Sequence, residues 1–389
     1  PEMPVSPASL MPSASVSVHT RLPMLPGLAA AIVAMWAGTA APQTSSWSSR
    51  IESGAVKQPP APPGTIVIRR PATGPRVIAP PPSRNSSVLK PNAKPAAAAK
   101  PQPEPTGENA AYIAFDNGRF LTALKLAELA AQKGQPEAHT LIARIHAEGH
   151  GVPRDPALAA KWFQRATELG DAEAAFALGL MYVEGRGVEK SHQSAAALFE
   201  RAASTGHVYA NYNLGLMFLS GHGKPENPIR GAQHLVYAAE KGIAAAQYDL
   251  ATLYINGHGV ATDGYLAARW LKRAAELGMA EAQFDYAIML LKGQGLNEDR
   301  PDAVRYLRSA ADHGLAAAQN RLAHVLADGA GVAPDRREAA KWRMLAKTKG
   351  LKDDKLDAMV RQLSNADRIA AEALAGQWSE RASVGASQQ

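Results

Sequence analysis

Ser87, Val88, Leu89 and Lys90 spell S-x-x-K, a spacing by which a lysine can activate a serine for acyl transfer. That chemistry needs the serine at a helix N-terminus inside a folded pocket. Pro80 to Pro82 precede it and Pro91 and Pro95 follow it, so neither condition is met. His150, His222 and His258 each stand between two glycines of a recurrent turn. Equivalent side chains of stacked helix pairs are two helix spacings apart, each about 8–10 Å. Ligand bonds are about 2 Å, so these three histidines cannot share one ion and are read as exposed turn residues. The paired glycines give G-x-G without a third glycine, and they follow helical and not strand patterning, which removes a dinucleotide site. H-E-x-x-H, G-x-S-x-G and the phosphate-binding loop are missing from the sequence. There is no cysteine, which excludes thiolate chemistry, disulfides and sulfur-ligated zinc. The sequence is therefore read as non-enzymatic, with no catalytic residue, no cofactor and no metal expected.

The 36-residue spacing of those turns is the dominant signal. Gly149, Gly185, Gly221, Gly257, Gly293 and Gly329 advance in steps of 36, each with a second glycine two residues on. A further ladder runs through Gly134, Gly170, Gly206, Gly242, Gly278, Gly314 and Gly350 at the same step. Alanine stands four residues before each of these, and four residues after each of the first six. Each period divides into two helices. Helix A runs from the lone glycine to the paired ones, with Ala174, Leu178 and Tyr182 on one stripe. Gly179 lies beside that stripe, where a neighbouring helix can approach closely. Helix B follows, with Ala267, Trp270, Leu271 and Ala274 on one face, and the lone glycine ends it in a left-handed cap. Met181, Met217 and Met289 share a helix A position and are read as core filler. A two-helix unit this small cannot bury its own apolar face, so stacking supplies the contacts. The fold expected is all-α, an α/α superhelical solenoid of about six 36-residue helix-turn-helix repeats.

The pattern W-x3-A-A-x2-G-x3-A-x3-L-G-x2-Y-x2-G-x-G-V resembles the Sel-one-like repeat family, relatives of the tetratricopeptide repeats. Trp270 to Gly278 with Ala282 match it, as do Ala174, Leu178, Gly179, Tyr182, Gly185, Gly187 and Val188. Lys224, His234, Tyr286 and Asp328 depart from it locally. The resemblance covers about Gly118 to Gly350. It implies that helix A lines a concave surface that grips extended peptides or helices. The helix A face away from the packing stripe holds Glu173, Tyr209, Asn213, Asp249, Thr252, Glu281, Asp285, Arg321 and His324, the candidate partner-binding residues. Asn213, Asp249 and Asp285 occupy one position in three successive repeats and could hydrogen-bond a bound backbone.

Outside the repeats the composition changes. Leu28 to Ala37 is an unbroken apolar run after Arg21, followed by small residues to Ala41. Residues 1–41 are read as a signal peptide cleaved after Ala40, with a retained membrane anchor as the second reading. Residues 42–107 contain QPPAPPG and KPAAAAKPQPEP and are expected to be a disordered, Pro-rich spacer. The solenoid is placed at 112–350, with Phe115 to Gly134 as a lone capping helix B. A helical cap is placed at 351–382, from helices Leu351–Leu363 and Ala366–Trp378, and a disordered tail at 383–389. Of the net charge of +7, residues 1–110 hold ten Lys or Arg against four Asp or Glu, while residues 111–350 hold 27 against 25. A nearly balanced body is a poor phosphate tracker, so no nucleic acid is expected. The basic spacer could touch an anionic cell wall or lipid headgroups. Together these features point to an exported scaffold, periplasmic or anchored in the inner membrane, whose partner is another protein or peptide. The alternatives are a cell-wall-acting hydrolase, a sugar-, peptidoglycan- or β-lactam-binding protein, and a cytoplasmic adaptor if the apolar run is not an export signal.

Overall fold

The computed structural model describes residues 106–107 and 109–387, so the expected signal segment and all but the end of the Pro-rich spacer lie outside the described residues. Among the described residues every regular element is a helix. Two helices, α1 (Ala110–Asp116) and α2 (Phe120–Gln132), open the stack. Six pairs of 13-residue helices follow. Repeat 1 is α3 (Pro136–Glu148) with α4 (Pro156–Glu168), and repeat 2 is α5 (Ala172–Glu184) with α6 (His192–Ser204). Repeat 3 is α7 (Val208–Ser220) with α8 (Pro228–Glu240), and repeat 4 is α9 (Ala244–Asn256) with α10 (Gly264–Glu276). Repeat 5 is α11 (Ala280–Lys292) with α12 (Arg300–Asp312), and repeat 6 is α13 (Ala316–Asp328) with α14 (Arg336–Thr348). Two helices close the stack, α15 (Asp354–Arg361) and α16 (Asn365–Ser387). Each repeat helix packs on the one before it and the one after it, which is the connectivity of a solenoid.

The sequence dictates where each helix begins and ends. Every helix B starts on a side-chain cap: Asp155, Ser191, Asn227, Asp263, Asp299 and Asp335 each accept the backbone N–H three residues on. Such a cap contributes about 1 kcal/mol. The cap residue's own N–H reaches back into helix A, as Asp263 N–H does to the Tyr254 carbonyl at 2.9 Å, and so closes the turn. Helix A ends on a glycine at left-handed φ, between +64° and +75°, in all six repeats.

Close approach explains the alanines and two kinds of glycine. Alanine fills the inner face of both helices, with Ala166, Ala202, Ala238, Ala274, Ala310 and Ala346 all buried at one repeat position. Within repeat 2, a Cβ on Gly179 would stand 2.5 Å from the Phe199 ring, so helices α5 and α6 meet there without a side chain between them. Between repeats, the second glycine of each turn presses on the first residue of the preceding helix B. A Cβ on Gly187, Gly223, Gly259 or Gly295 would lie under 3.0 Å from the carbonyl oxygen of Pro156, His192, Pro228 or Gly264 respectively. Gly331 presses on Arg300 at the equivalent place, where the Arg300 Cβ is the nearest atom. Backbone against backbone is thus the joint at the other four.

The two ends differ from the sequence-based expectation. The N-terminal unit is a helix pair and not a lone helix B, because Ala111 and Ala114 of α1 are buried against Ala123 and Ala127 of α2. At the other end α16 continues to Ser387, into the segment 383–389 expected to be a tail; Ala382 to Ser387 contain no proline, and Gly385 alone does not stop the helix. Among the described residues no helix is long and apolar enough to cross a membrane.

Candidate partner-binding face of helix A

The sixth position of each helix A carries Leu141, Ala177, Asn213, Asp249, Asp285 and Arg321 in turn. Where the residue before it is polar, in repeats 1, 3, 4 and 6, it reaches across to the next unit. The Tyr212 hydroxyl donates to Asp249 Oδ2 at 2.9 Å, and the Tyr248 hydroxyl donates to Asp285 Oδ2 at 2.7 Å. Thr140 donates to the Asp171 carboxylate at the head of the next helix A, and Asn320 donates to Asp353 Oδ2 at 2.8 Å. A polar side chain at one position thus ties repeat 1 to 2, 3 to 4, 4 to 5 and repeat 6 to the closing helices, whereas Phe176 and Phe284 stand there in repeats 2 and 5.

This stitching changes the role of the middle of the face. Asn213 and Asp249 are only 2% and 5% exposed, so they are covered by the protein itself and do not form an open row of hydrogen-bonding groups. Asp285 is half-buried. Burial pushes its carboxyl up to about 7, against the lowering effect of the Tyr248 hydroxyl, and the nearby Glu281 charge adds to the rise. The Thr252 hydroxyl is half-buried and donates to the Tyr248 carbonyl of its own helix at 3.1 Å.

The rest of the face is open. Glu173, Glu281 and Arg321 are exposed, and Tyr209 is half-buried with its ring 6.3 Å from that of Phe176. Glu173 is positioned by the following repeat: His207 accepts the Ala210 N–H on Nδ1, which places its proton on Nε2, 3.1 Å from Glu173 Oε2. That hydrogen bond holds the Glu173 carboxyl below its usual range, against the effect of burial. A second ladder secures the layer from behind. Gln247, Gln283 and Gln319 each donate to the carbonyl eight residues earlier, at 3.0–3.1 Å, tying helix A to the end of the preceding helix B.

His324 belongs to the closing end of the stack. Its Nε2 lies 2.6 Å from Asp353 Oδ2. Burial raises the Asp353 carboxyl, but bonds from the Leu356 N–H, Asn320 and His324 together hold it below the ordinary range. Arg343 stands one helix further on, at the helix B position where Phe163, Phe199, Leu235, Leu271 and Leu307 fill the other repeats. It is 1% exposed, and its Nε donates to Asp357 Oδ1 at 2.7 Å while Nη1 donates to Asn320 Oδ1 at 3.0 Å. Trp378 of α16 packs edge-on to Trp342, with centroids 6.2 Å apart, and its indole N–H reaches Asp312 at 3.3 Å. Neither Arg343 nor Asp353 stood out from the spacing. The signal available was a charged residue at a position that is otherwise Phe or Leu. The Tyr212–Asp249 and Tyr248–Asp285 contacts could have been read from two tyrosines 36 residues apart, each 37 residues before an aspartate.

Among the described residues no group of three or more His, Asp or Glu side chains is placed to hold a metal ion. What the face offers is a helix layer bonded across several of its repeat junctions and carrying separate exposed acidic, aromatic and basic side chains.

The Sel1 repeat model matches residues 136–171, 172–207, 208–243, 244–279, 280–315 and 316–342, together more than half of the chain. A Sel1 repeat protein from Oxalobacter formigenes is similar in structure, with a TM-score of 0.58 and 27% identity over 62% of this chain and 100% of that one. The c5321 protective antigen of uropathogenic Escherichia coli, which displays an SLR fold, aligns at 23% identity and a TM-score of 0.38 over 70% of this chain and 84% of its own. The immunity protein Pa5087 from Pseudomonas aeruginosa aligns at 22% identity and a TM-score of 0.33 over 55% and 81%. No curated protein sequence matches the chain. The matched segments begin at the same residues as the six helix A elements, and with that register held from residue 136 to residue 342 the chain belongs to the Sel1 repeat family.

Proposed function

We propose that this chain is a non-enzymatic scaffold that binds a partner protein along the exposed part of its helix A face, through Glu173, Tyr209, Glu281 and Arg321. The observation that carries this reading is the repeat-to-repeat stitching of Tyr212 to Asp249 and Tyr248 to Asp285. It ties the helix A elements of repeats 3, 4 and 5 together, and the His207–Glu173 bond joins repeat 2 to repeat 3, so the side chains these bonds link keep their mutual positions and a bound segment meets less ordering cost on this side. Extended peptides and amphipathic helices are the partners that such a surface accommodates. Asn213 and Asp249 support the face from beneath. The apolar run Leu28–Ala37 and the Pro-rich residues 42–107 support a place in the cell envelope, with the repeats held away from a membrane or wall by the spacer.

Two experiments test the reading. The full chain and a variant carrying Glu173→Lys, Glu281→Lys and Arg321→Glu are used to capture partners from envelope extract. These are exposed positions, so the variant melts within a few degrees of the native chain, and it is expected to lose the captured partners. Retention of the same partners removes the site, and capture of no specific partner by the native chain removes the function. Separately, residues 1–60 fused to a reporter active only outside the cytoplasm give activity if the segment directs export; an inactive fusion assigns the scaffold to the cytoplasm.

A further inference from the structure

At two joints the middle residue of a glycine turn packs its ring against the first residue of the preceding helix B. At the first joint this pairs His150 with Phe120, stacked with centroids 4.6 Å apart. At the joint between repeats 2 and 3 both partners are histidine. The rings of His192 and His222 have centroids 5.7 Å apart and planes tilted by 46°. The Nδ1 atoms of both are buried, and neither has a hydrogen-bond partner. Leaving one buried ring nitrogen without a partner is costly, and here two stand at one joint. Histidine recurs at the second position, as His150, His222 and His258, with Arg186, Gln294 and Ala330 in the other turns; at the first position His192 is the one histidine, with Pro156 and Pro228 in the flanking repeats. A buried methionine lies on the inner side. The thioether methyl of Met217 would be 3.0 Å from a Cβ on Gly223, the residue after His222, so a buried thioether abuts the same turn.

We propose that His192, His222 and Met217 form a binding site for a soft monovalent metal ion, Cu(I), at the joint between repeats 2 and 3. The donor set is two neutral imidazoles and a thioether, and no third His, Asp or Glu is placed to join them. Zinc favours four-coordinate sites with three or four nitrogen, oxygen or thiolate ligands from the protein, whereas imidazole and thioether donors in low number suit Cu(I). The spacing fits. With bonds of about 2 Å, two rings sharing one ion have centroids roughly 4.5–6.3 Å apart, depending on the angle at the metal.

The test titrates the full chain with Ag(I), a redox-inert stand-in for Cu(I), in chloride-free buffer by calorimetry, and with Cu(I) by competition against a chromogenic chelator. The native chain is expected to show one site of micromolar affinity or tighter. His192→Pro and His222→Gln, replacements that other repeats already carry, keep the native circular dichroism and weaken that site at least tenfold. Met217→Leu, which preserves packing volume, weakens it several-fold, and His258→Gln leaves it unchanged. Native affinity in His192→Pro and His222→Gln, or loss in His258→Gln equal to theirs, overturns the site. Unchanged affinity in Met217→Leu removes the thioether from it. Absence of the tight site in the native chain, or tighter binding of Zn(II) than of Ag(I), overturns the assignment without recourse to any variant.

Discussion

A phenol hydroxyl from repeat 4 and a carboxylate from repeat 5 meet at Tyr248 and Asp285, where burial has pushed the carboxyl up to about 7. In the unfolded chain the same group titrates near its ordinary 3.8. Between about pH 4 and pH 7 the folded protein therefore holds a proton that the unfolded chain has released, and this residue's contribution to stability falls as pH rises through that window. Holding that proton through a tenfold fall in proton concentration corresponds to about 1.4 kcal/mol, and partial exposure of the carboxyl reduces the whole effect to on the order of 2 kcal/mol. Asp285→Asn should gain that amount on the native chain between pH 4 and pH 8 in urea unfolding, since the depressed carboxyls of Glu173, Asp353 and Asp357 contribute to both proteins alike. A constant difference across pH would show that Asp285 ionises freely. Tyr248→Phe removes the donor and should cost about 1–2 kcal/mol, with Asp285 titrating higher still. The row Asn213, Asp249, Asp285 was legible from its spacing, but its burial was not. Spacing places a side chain on its own helix. Whether a tyrosine from the preceding repeat covers it depends on how far each repeat advances, and no residue in the sequence states that distance.

Among the elements, the turns and the closing helices make separable demands. Gly259 has φ of +77° and a backbone carbonyl against it, whereas Gly278 has φ of +85° with nothing within 4 Å of an added Cβ. Gly278→Ala should cost about 1 kcal/mol, the conformational penalty alone. Gly259→Ala must also push Pro228 away, and should cost roughly 3 kcal/mol or more. Equal losses in thermal or urea unfolding would mean that the joint yields. At the closing end, Arg343→Leu restores the residue type of repeats 3 to 5 but strips Asp357 and Asn320 of one partner each, leaving Lys347 to the first and Asp353 to the second. It should cost about 3 kcal/mol, and amide exchange should accelerate in residues 354–383 while α9 to α12 stay protected. The glycine ladders made the 12 repeat helices legible, because the turns need left-handed backbone. Helices α1 and α16 carry no such punctuation, and their extents were set by packing on α2 and α14 instead.

For the molecule as a whole, contacts between neighbouring repeats make stability close to a sum over joints. Excision of one complete period, residues 244–279, should leave a folded chain with the same helicity per residue, because Met279 and Ile243 are equivalent and Tyr212 would then face Asp285 in place of Asp249. Excision of helix B alone, residues 264–276, puts two helix A elements in succession and should abolish cooperative unfolding by circular dichroism. Native-like melting of that second deletion would contradict the stacking described above. The glycine joints add one more consequence. At four of them the closest approach is main chain on main chain. The step from one repeat to the next is then fixed by covalent dimensions and not by which apolar residues fill the interior. Core residues can drift in size and tilt neighbouring helices while the interval along the stack stays constant. The molecule behaves as a ruler whose graduations outlast changes in the material between them.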